Sequence, residues 1–228
     1  MDQIFRDRRD AGGQLAQAMV KYKGTPGLLV LGLPRGGVPV AYEVARELNA
    51  ELDVLVVRKL GVPYQPELAM GAITSGGVTV LNDDLTRLLG ITLAQIESVI
   101  RYEQLELARR ERDYRGNREP LRVEGRTVIV VDDGVATGAS MQVAVKALRL
   151  LKAGHIAVGV PTGSDEALDE LRALADDCIC VSAPPFFYAV GRWYRDFAQV
   201  GDDEVQTLLA AAQPWRPQAA GWTRKARA

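Results

Sequence analysis

The chain is poor in the residues that bind zinc or form disulfides. Its 228 residues include 2 cysteines and 1 histidine. Cys178 and Cys180 lie two positions apart on an expected strand, so both side chains point to one face and cannot bridge without a distorted loop. Because His155 is the only imidazole, a four-ligand zinc site is not supported. We therefore expect reduced thiols, and we interpret His155 as a capping or solvated residue at a helix end.

No charge of one sign dominates, and there is no long apolar run. The 28 basic residues nearly balance the 29 acidic ones, so the composition lacks the basic footprint of a nucleic-acid-binding protein. No apolar stretch reaches membrane-spanning length, and residues 1–10 lack the apolar core of a signal peptide. We expect a cytoplasmic protein whose partners are small molecules, with no role for nucleic acid or membrane.

Alternating apolar strands and amphipathic helices predict βαβ units and a parallel sheet. The length suits one domain. Thr92 and Gln95 have the spacing of a capping box at the start of a long, charged helix. Other helices are expected at 10–23, 38–49, 138–152 and 165–174, and strands at 28–33, 52–57, 127–131, 156–161 and 178–182. Segment 60–66 reads as a loop, and 69–74 with 78–81 as a hairpin.

We interpret residues 1–213 as a single domain and 214–228 as a flexible tail. Within the domain, a helical insert covers about 83–118 and a small C-terminal hood about 183–213. On the charged helix, the spacing favours the ion pairs Glu106–Arg110 and Glu111–Arg115.

The most informative segment runs from 130 to 140, with the sequence Val-Val-Asp-Asp-Gly-Val-Ala-Thr-Gly-Ala-Ser. A strand that is apolar on both faces, as in a parallel sheet covered on both sides, ends in two carboxylates. A loop of small residues then leads into a helix, whose amides and positive end favour an anion. The pattern predicts a pocket for a phosphorylated sugar. The alternative is a plain turn whose aspartates cap the helix, but capping requires one Asp and makes no use of Thr-Gly-x-Ser.

This segment resembles the phosphoribosyl pyrophosphate signature of type I phosphoribosyltransferases. The resemblance implies an α/β fold with a central, mainly parallel sheet flanked by helices. It implies that Asp132 and Asp133 contact the ribose 2- and 3-hydroxyls, and that Mg²⁺ binds the donor and meets these carboxylates indirectly, through substrate or water. It assigns the wrapping of the 5-phosphate to the loop residues Gly134, Val135, Ala136, Thr137, Gly138 and Ser140.

Two other segments resemble the family's pyrophosphate-binding parts. Residues 31–37 end a strand and start a helix; Gly36 and Gly37 would expose backbone amides to an anion, and Arg35 would add charge. Arg58 and Lys59 look like the basic residues that meet pyrophosphate in adenine-type members, and 60–68 would then be a mobile lid. The alternatives are an ordinary strand-to-helix turn and a solvated strand end.

The identity of the acceptor is harder to predict from the sequence than that of the donor. Residues 184–197 are similar to the C-terminal hood of hypoxanthine-guanine-type members, with Phe186 or Phe187 as the aromatic that stacks on the base and core packing as an equal alternative. The Asp that precedes Thr-Gly in those members is Ala136 here, as in adenine-type members, and a methyl group cannot move a proton. Glu67 is the best replacement base. The family's base-reading Lys is also missing, at 161–163.

The sequence therefore predicts a magnesium-dependent transferase, expected to be a homo-oligomer, a dimer. It would move a 5-phosphoribosyl group from phosphoribosyl pyrophosphate to a nitrogenous base or related amine and release pyrophosphate. The first alternative is a non-catalytic regulatory protein that binds phosphoribosyl pyrophosphate or a nucleotide. The second, a phosphatase that uses an aspartate after a strand, leaves Thr137 and Gly138 unexplained.

Overall fold

A five-stranded parallel sheet lies at the centre of the computed structural model, which describes residues 4–116 and 118–212. Its strands are β1 (Leu29–Gly32), β2 (Glu51–Val54), β6 (Thr127–Val131), β7 (His155–Thr162) and β8 (Asp177–Ser182). They are arranged in the order β2-β1-β6-β7-β8, and every neighbouring pair is parallel. The expected α/β fold is confirmed.

Helices cover both faces of this sheet. The α-helices of the described residues are α1 (Arg8–Ala18), α2 (Gly37–Leu48), α3 (Asp83–Leu88), α4 (Leu93–Arg115), α5 (Ala139–Leu150), α6 (Asp165–Leu174) and α7 (Asp202–Ala211). Ile129 joins the core that contains Leu15 of α1 and Val44 of α2, whereas its neighbour Val130 joins the core that contains Leu148 of α5. Successive strand residues thus face opposite cores, which is why the four buried residues of β6, Val128 to Val131, are all apolar.

A second, antiparallel sheet interrupts the alternation. It consists of β3 (Val57–Val62), β4 (Gln65–Thr74) and β5 (Thr79–Leu81), in that order. The expected hairpin of 69–74 with 78–81 is confirmed, but the expected loop at 60–66 is wrong, and the proposed lid is the tip of a β-hairpin. The register shifts around Gly61, and Tyr64 has φ 68°. A bulge and a tight turn therefore accommodate the Gly and Pro residues that suggested a loop.

The insert is helical, as expected, and α4 is tied to the central sheet. The capping box is present at Thr92, and Arg110 pairs with Glu106 at 3.0 Å. The predicted pair between Glu111 and Arg115 is not formed. Arg115 instead donates from Nε and Nη2 to the two oxygens of Asp53, each at 3.0 Å. A buried carboxylate on β2 is a stronger partner than an exposed one on the same helix.

A small aromatic cluster closes the carboxyl end of the sheet. Phe5, Trp193 and Tyr194 form it, with Phe187 packed alongside. Phe5 pairs with Tyr194 as an isolated parallel bridge, so residues near the N-terminus contribute to the hood that the sequence assigned to 183–213 alone. The predicted tail at 214–228 lies outside the described residues.

Two minor predictions have different outcomes. Cys178 and Cys180 are free thiols, as expected. His155 opens β7 and does not end a helix, and its Nε2 lies 3.2 Å from the Tyr22 hydroxyl. In the part of the chain that the structure describes, no helix combines the length and the apolar character needed to cross a membrane.

The ion pair between Arg115 and Asp53 should contribute much of the stability with which α4 packs against the central sheet. The side chains are 9% and 2% exposed, and Arg115→Leu would remove this ion pair and keep the longer one between Asp53 and Arg118, at 3.9 Å. Removing one partner of a buried pair costs about 3 kcal/mol, to be measured by urea unfolding. Arg101→Leu is the matched control, because its pair with Glu97 is exposed and worth less than about 1 kcal/mol. Equal small losses in both variants would contradict this role.

Candidate active site

The site forms where the carboxyl ends of β1 and β6 meet. Gly32 and Val131 are partners in the parallel register, and the Leu33 amide donates to the Val131 carbonyl at 2.9 Å. The loops that follow the two strands therefore start side by side. This edge of an open parallel sheet is where such folds bind ligands.

Two glycines let the loops touch. A Cβ at Gly36 would lie 2.7 Å from Asp133 Cγ and closer still to Oδ2. A Cβ at Gly37 would lie 2.6 Å from the Val131 carbonyl oxygen and 2.9 Å from Asp132 Cα. No side chain fits in either gap. The structure thus brings the predicted pyrophosphate loop directly against the predicted acidic pair.

The acidic pair is crowded and largely removed from water. Asp132 Oδ1 accepts a hydrogen bond from the Asp133 amide at 2.9 Å, and the Asp133 side chain is 13% exposed. Burial, followed by the charge of Asp133, raises the pKa of Asp132 well above its usual range. Burial also raises the pKa of Asp133, although the Arg8 guanidinium opposes this. A cation or a hydroxyl donor brought to this place would stabilise the ionised pair.

Arg8 and Tyr194 are site residues that the sequence reading missed. Arg8, in the first turn of α1, donates from Nε to Asp133 Oδ2 at 2.7 Å. The Tyr194 hydroxyl donates to the Asp133 carbonyl at 2.5 Å. Arg8 is 125 positions from its partner and stands in a charged segment with no motif, so no local signal marked it.

Residues 136–140 present an open helix start. Gly138 is the N-cap of α5 with φ 69°, a left-handed conformation that favours glycine. Among the described residues, no side chain caps this end. Ala136, Thr137, Ala139 and Ser140 are exposed. The first amides of a helix lack partners within the helix, so this end can receive an anion.

The first half of the same loop has a different task. The Val135 side chain is 3% exposed, its amide donates to the Thr162 carbonyl, and its carbonyl accepts from the Ser164 amide, both at 3.0 Å. A Cβ at Gly134 would lie 2.5 Å from Val190 Cγ1. Gly134 and Val135 therefore hold the loop against β7 and the hood, and the exposed half faces solvent.

The structure separates the predicted cations. Arg35 is 39% exposed and lies 3.8 Å from Asp202 of α7. Arg58 donates from Nε to Glu103 of α4 at 2.8 Å, and its side chain is 25% exposed beside the insert.

Lys59, the next residue of β3, points to the opposite face from Arg58. Its Nζ lies 3.2 Å from the carbonyl of Glu67 and 3.7 Å from Oε2 of that residue. The Glu67 side chain is fully exposed at the hairpin. In the described segments, no hydrogen bond or ion pair is found between Arg58, Lys59 or Glu67 and the acidic pair.

The two predicted stacking residues of the hood, Phe186 and Phe187, differ in how far their rings are exposed to solvent. Phe186 is 75% exposed, with φ 56°. Phe187 stacks on Trp193, with ring centroids 6.0 Å apart. Phe187 is therefore committed to the hood core, and Phe186 is the ring that a planar ligand can reach.

Comparison with known proteins shows the family of the chain. The sequence model of the phosphoribosyl transferase domain family matches residues 66–197, more than half of the chain. The chain belongs to this family. A Mycobacterium tuberculosis protein, provisionally named a phosphoribosyl transferase in strains CDC 1551 and H37Rv, is 48% identical over 209 residues, 92% of this chain and 47% of its own length. The chain therefore spans about half the length of the curated relatives it matches.

A solved structure is also similar over nearly the whole chain. The protein TT1426 from Thermus thermophilus is 43% identical, with a TM-score of 0.81, and the match covers 91% of this chain and 98% of that one.

The donor set of this phosphoribosyl transferase domain fits a magnesium ion that arrives with a substrate. Among the described residues there is no group of three or more His, Cys, Asp or Glu suited to hold a metal. Magnesium is commonly bound through one or two carboxylates plus substrate phosphates and water. Asp132 and Asp133 would meet such an ion indirectly, through substrate or water, and the phosphates of a ligand would bind it directly.

Burial of the acidic pair predicts a stability cost that depends on pH. An acid whose pKa is raised by folding stabilises the fold fully below its unfolded pKa, and that contribution is lost as the pH rises through the folded pKa. Asp132→Asn should therefore raise the melting temperature by a few degrees at pH 8, and the gain should vanish towards pH 4, the usual pKa of aspartate. The exposed Asp169→Asn is the control. A variant that is equally destabilised at both pH values would contradict the burial argument.

Proposed function

We propose that this domain transfers a 5-phosphoribosyl group from phosphoribosyl pyrophosphate to a nitrogenous base or related amine, with release of pyrophosphate. One observation carries the proposal. The Gly36–Gly37 loop lies directly on Asp132 and Asp133, and the open start of α5 follows in the same loop. The amides of the Gly36–Gly37 loop, the two carboxylates and the amides at the start of α5 thus follow one another along one surface. The pyrophosphate, ribose and 5-phosphate groups of the donor have the same order.

The 5-phosphate is assigned to the start of α5. The exposed residues Ala136, Thr137, Ala139 and Ser140 surround it, and the helix N-terminus favours the negative charge. The hydroxyls of Thr137 and Ser140 add donors. Val135 and Gly134 are assigned to shaping this loop, because the Val135 amide is already bonded to Thr162.

The ribose is assigned to the acidic pair. Ionised carboxylates are acceptors only, so each can take a hydroxyl hydrogen. The raised pKa values of Asp132 and Asp133 mean that hydroxyl donors would gain by restoring hydrogen bonds to desolvated oxygens. The magnesium ion, which we propose to be held by this pair indirectly, would supply charge neutralisation at the leaving pyrophosphate.

The pyrophosphate is assigned to the Gly36 and Gly37 amides together with Arg35. The contact of Arg35 with Asp202 is long and partly exposed, and such pairs are worth about 1 kcal/mol or less. A pyrophosphate can therefore draw Arg35 away. Lys59, on the hairpin, is the second candidate cation. Arg58 is assigned to fixing the hairpin under α4 through Glu103.

The reaction breaks the bond between the sugar's C1 and a pyrophosphate oxygen, and the acceptor nitrogen forms its bond to C1 from the opposite face. The negative charge that grows on the leaving group is stabilised by fixed dipoles and cations at the Gly36–Gly37 loop. Phe186 is the candidate to stack on a planar acceptor. Glu67 is the candidate base for its proton, and closure of the hairpin would be needed to bring it near.

One observation favours the second candidate, a regulatory protein that binds phosphoribosyl pyrophosphate or a nucleotide without turnover. Each predicted pyrophosphate cation is paired with a carboxylate: Arg35 with Asp202, Arg58 with Glu103, and Lys59 with Glu67. A domain whose pyrophosphate cations are already neutralised by its own carboxylates could bind the donor through the 5-phosphate and the ribose alone.

A base panel separates the two candidates. Phosphoribosyl pyrophosphate with Mg²⁺ should raise the melting temperature, and at least one of a set of purines, pyrimidines and small amines should cause release of pyrophosphate. Asp132→Asn and Asp133→Asn should lower turnover at least tenfold, since each loses a charged acceptor worth about 1.5–3 kcal/mol. Stabilisation without release across the panel would favour the regulatory protein, and normal turnover in both variants would contradict the site.

The contact between the two loops predicts a steric loss. Gly36 has ordinary helical dihedrals, φ −61° and ψ −33°, so alanine is excluded there by space alone. Gly36→Ala should abolish detectable binding of phosphoribosyl pyrophosphate in calorimetry, because the new Cβ falls on the Asp133 carboxylate. Gly13→Ala is the matched control; its Cβ meets nothing within 4 Å, and binding should be unchanged. Equal binding by both variants would overturn the assignment.

A further inference from the structure

Arg8 makes two side-chain hydrogen bonds and one contact with an aromatic ring. Nε donates to Asp133 Oδ2 at 2.7 Å, and Nη1 donates to the Ala198 carbonyl at 2.7 Å. The centre of the guanidinium lies 3.8 Å from the ring centroid of Phe197. The side chain is 12% exposed. A planar guanidinium fixed by two hydrogen bonds and one ring face has a single orientation.

This arrangement distinguishes the two oxygens of Asp133. Oδ2 accepts from Arg8 and lies beneath Gly36, whereas Oδ1 is 3.3 Å from the position of a Cβ at Gly36 and is not part of the Arg8 ion pair. The Asp133 backbone is held from the other side by the Tyr194 hydroxyl. The carboxylate is therefore fixed at its main chain and at one oxygen, and the second oxygen remains for a ligand.

We propose that Arg8 is a positioning residue of the ribose subsite: by holding Oδ2 of Asp133, it aims Oδ1 at a sugar hydroxyl of the donor. This inference rests on the proposed function and extends it to α1, an element outside every motif of the sequence. Nε and one face of the Arg8 guanidinium are engaged by Asp133 and Phe197, and Nη1 by the Ala198 carbonyl. The effect of Arg8 reaches the ligand through Asp133.

A purely structural role for Arg8 makes different predictions. As a clamp between α1 and the hood, Arg8 would support every ligand of the pocket equally, since Ala198 and Phe197 belong to the hood side. As a positioning residue, Arg8 should affect ligands with ribose hydroxyls and leave the others unchanged. Selectivity for hydroxyls is therefore the decisive readout.

The experiment measures the affinities of three sugar phosphates and of pyrophosphate by calorimetry. The sugars are ribose 5-phosphate, 2-deoxyribose 5-phosphate and 3-deoxyribose 5-phosphate. The wild-type domain should prefer ribose 5-phosphate to at least one deoxy sugar by about tenfold or more, the value of a hydrogen bond to a charged group. In Arg8→Gln this preference should fall to less than about twofold, while the affinity for pyrophosphate is unchanged.

A double-mutant cycle shows whether Arg8 acts through Asp133. In an Asp133→Asn background, Arg8→Gln should produce no further change in the ratio of ribose to deoxyribose affinity, because residues that act as a unit are not additive. Arg6→Gln is the matched control; Arg6 stands just before α1 and pairs with Asp10 at the surface, so the ratio should be that of the wild type.

The outcomes separate this inference from the proposed function. A wild-type domain that does not distinguish ribose from either deoxy sugar overturns the ribose assignment and the inference together. A wild type that discriminates, with Arg8→Gln that discriminates equally, overturns the inference alone. If Arg8→Gln loses affinity for pyrophosphate and sugars alike, Arg8 is a clamp and the positioning role is wrong.

Discussion

The close approach of two glycines to two carboxylates is the constraint on which the rest of the site depends. Gly36 and Gly37 leave no room for a side chain against Asp132, Asp133 and the end of β6. This contact joins loops that belong to different βαβ units, and parallel register brings them to the same edge. It also shields the carboxylates from water. The close contact of the two loops therefore affects both the shape of the pocket and the pKa values of its carboxylates.

Because the acidic pair is shielded from water, residues of several other elements interact with it. Asp133 is compensated by Arg8 from α1, and the orientation of Arg8 requires Ala198 and Phe197 in the hood. Asp132 has no such close ion pair among the described residues, and burial raises its pKa. Within the described part of the chain, Asp132 is therefore stabilised only by the Asp133 amide and by the more distant charge of Arg8. Sites of this kind trade stability for ligand binding.

The parts of the fold with strong local signals were predictable. The apolar run of β6, its two aspartates and the small-residue loop before α5 identified the parallel sheet and the family, because strand burial and helix-start chemistry are local properties. The segment 60–66, where β3 turns into β4, was predicted as a loop. Its glycine and prolines are accommodated by a register shift at Gly61, which depends on the partner strand.

Long-range contacts explain the remaining misses. Nothing near Arg8 in sequence indicates Asp133, and the helical rule that paired Arg115 with Glu111 could not anticipate the buried Asp53. Arg58 was assigned to pyrophosphate by resemblance, but the structure engages it with Glu103 of the insert, a segment with no counterpart in the motifs. In each case the side chain is charged and long, so its partner is decided by tertiary packing.

The most direct test of the account is a crystal structure of the domain with phosphoribosyl pyrophosphate and Mg²⁺. The account predicts the 5-phosphate at the start of α5, the ribose hydroxyls on Asp132 and Asp133, and the pyrophosphate on the Gly36–Gly37 amides. A donor bound with its ribose away from both aspartates, or with the Gly36–Gly37 loop empty, would contradict it.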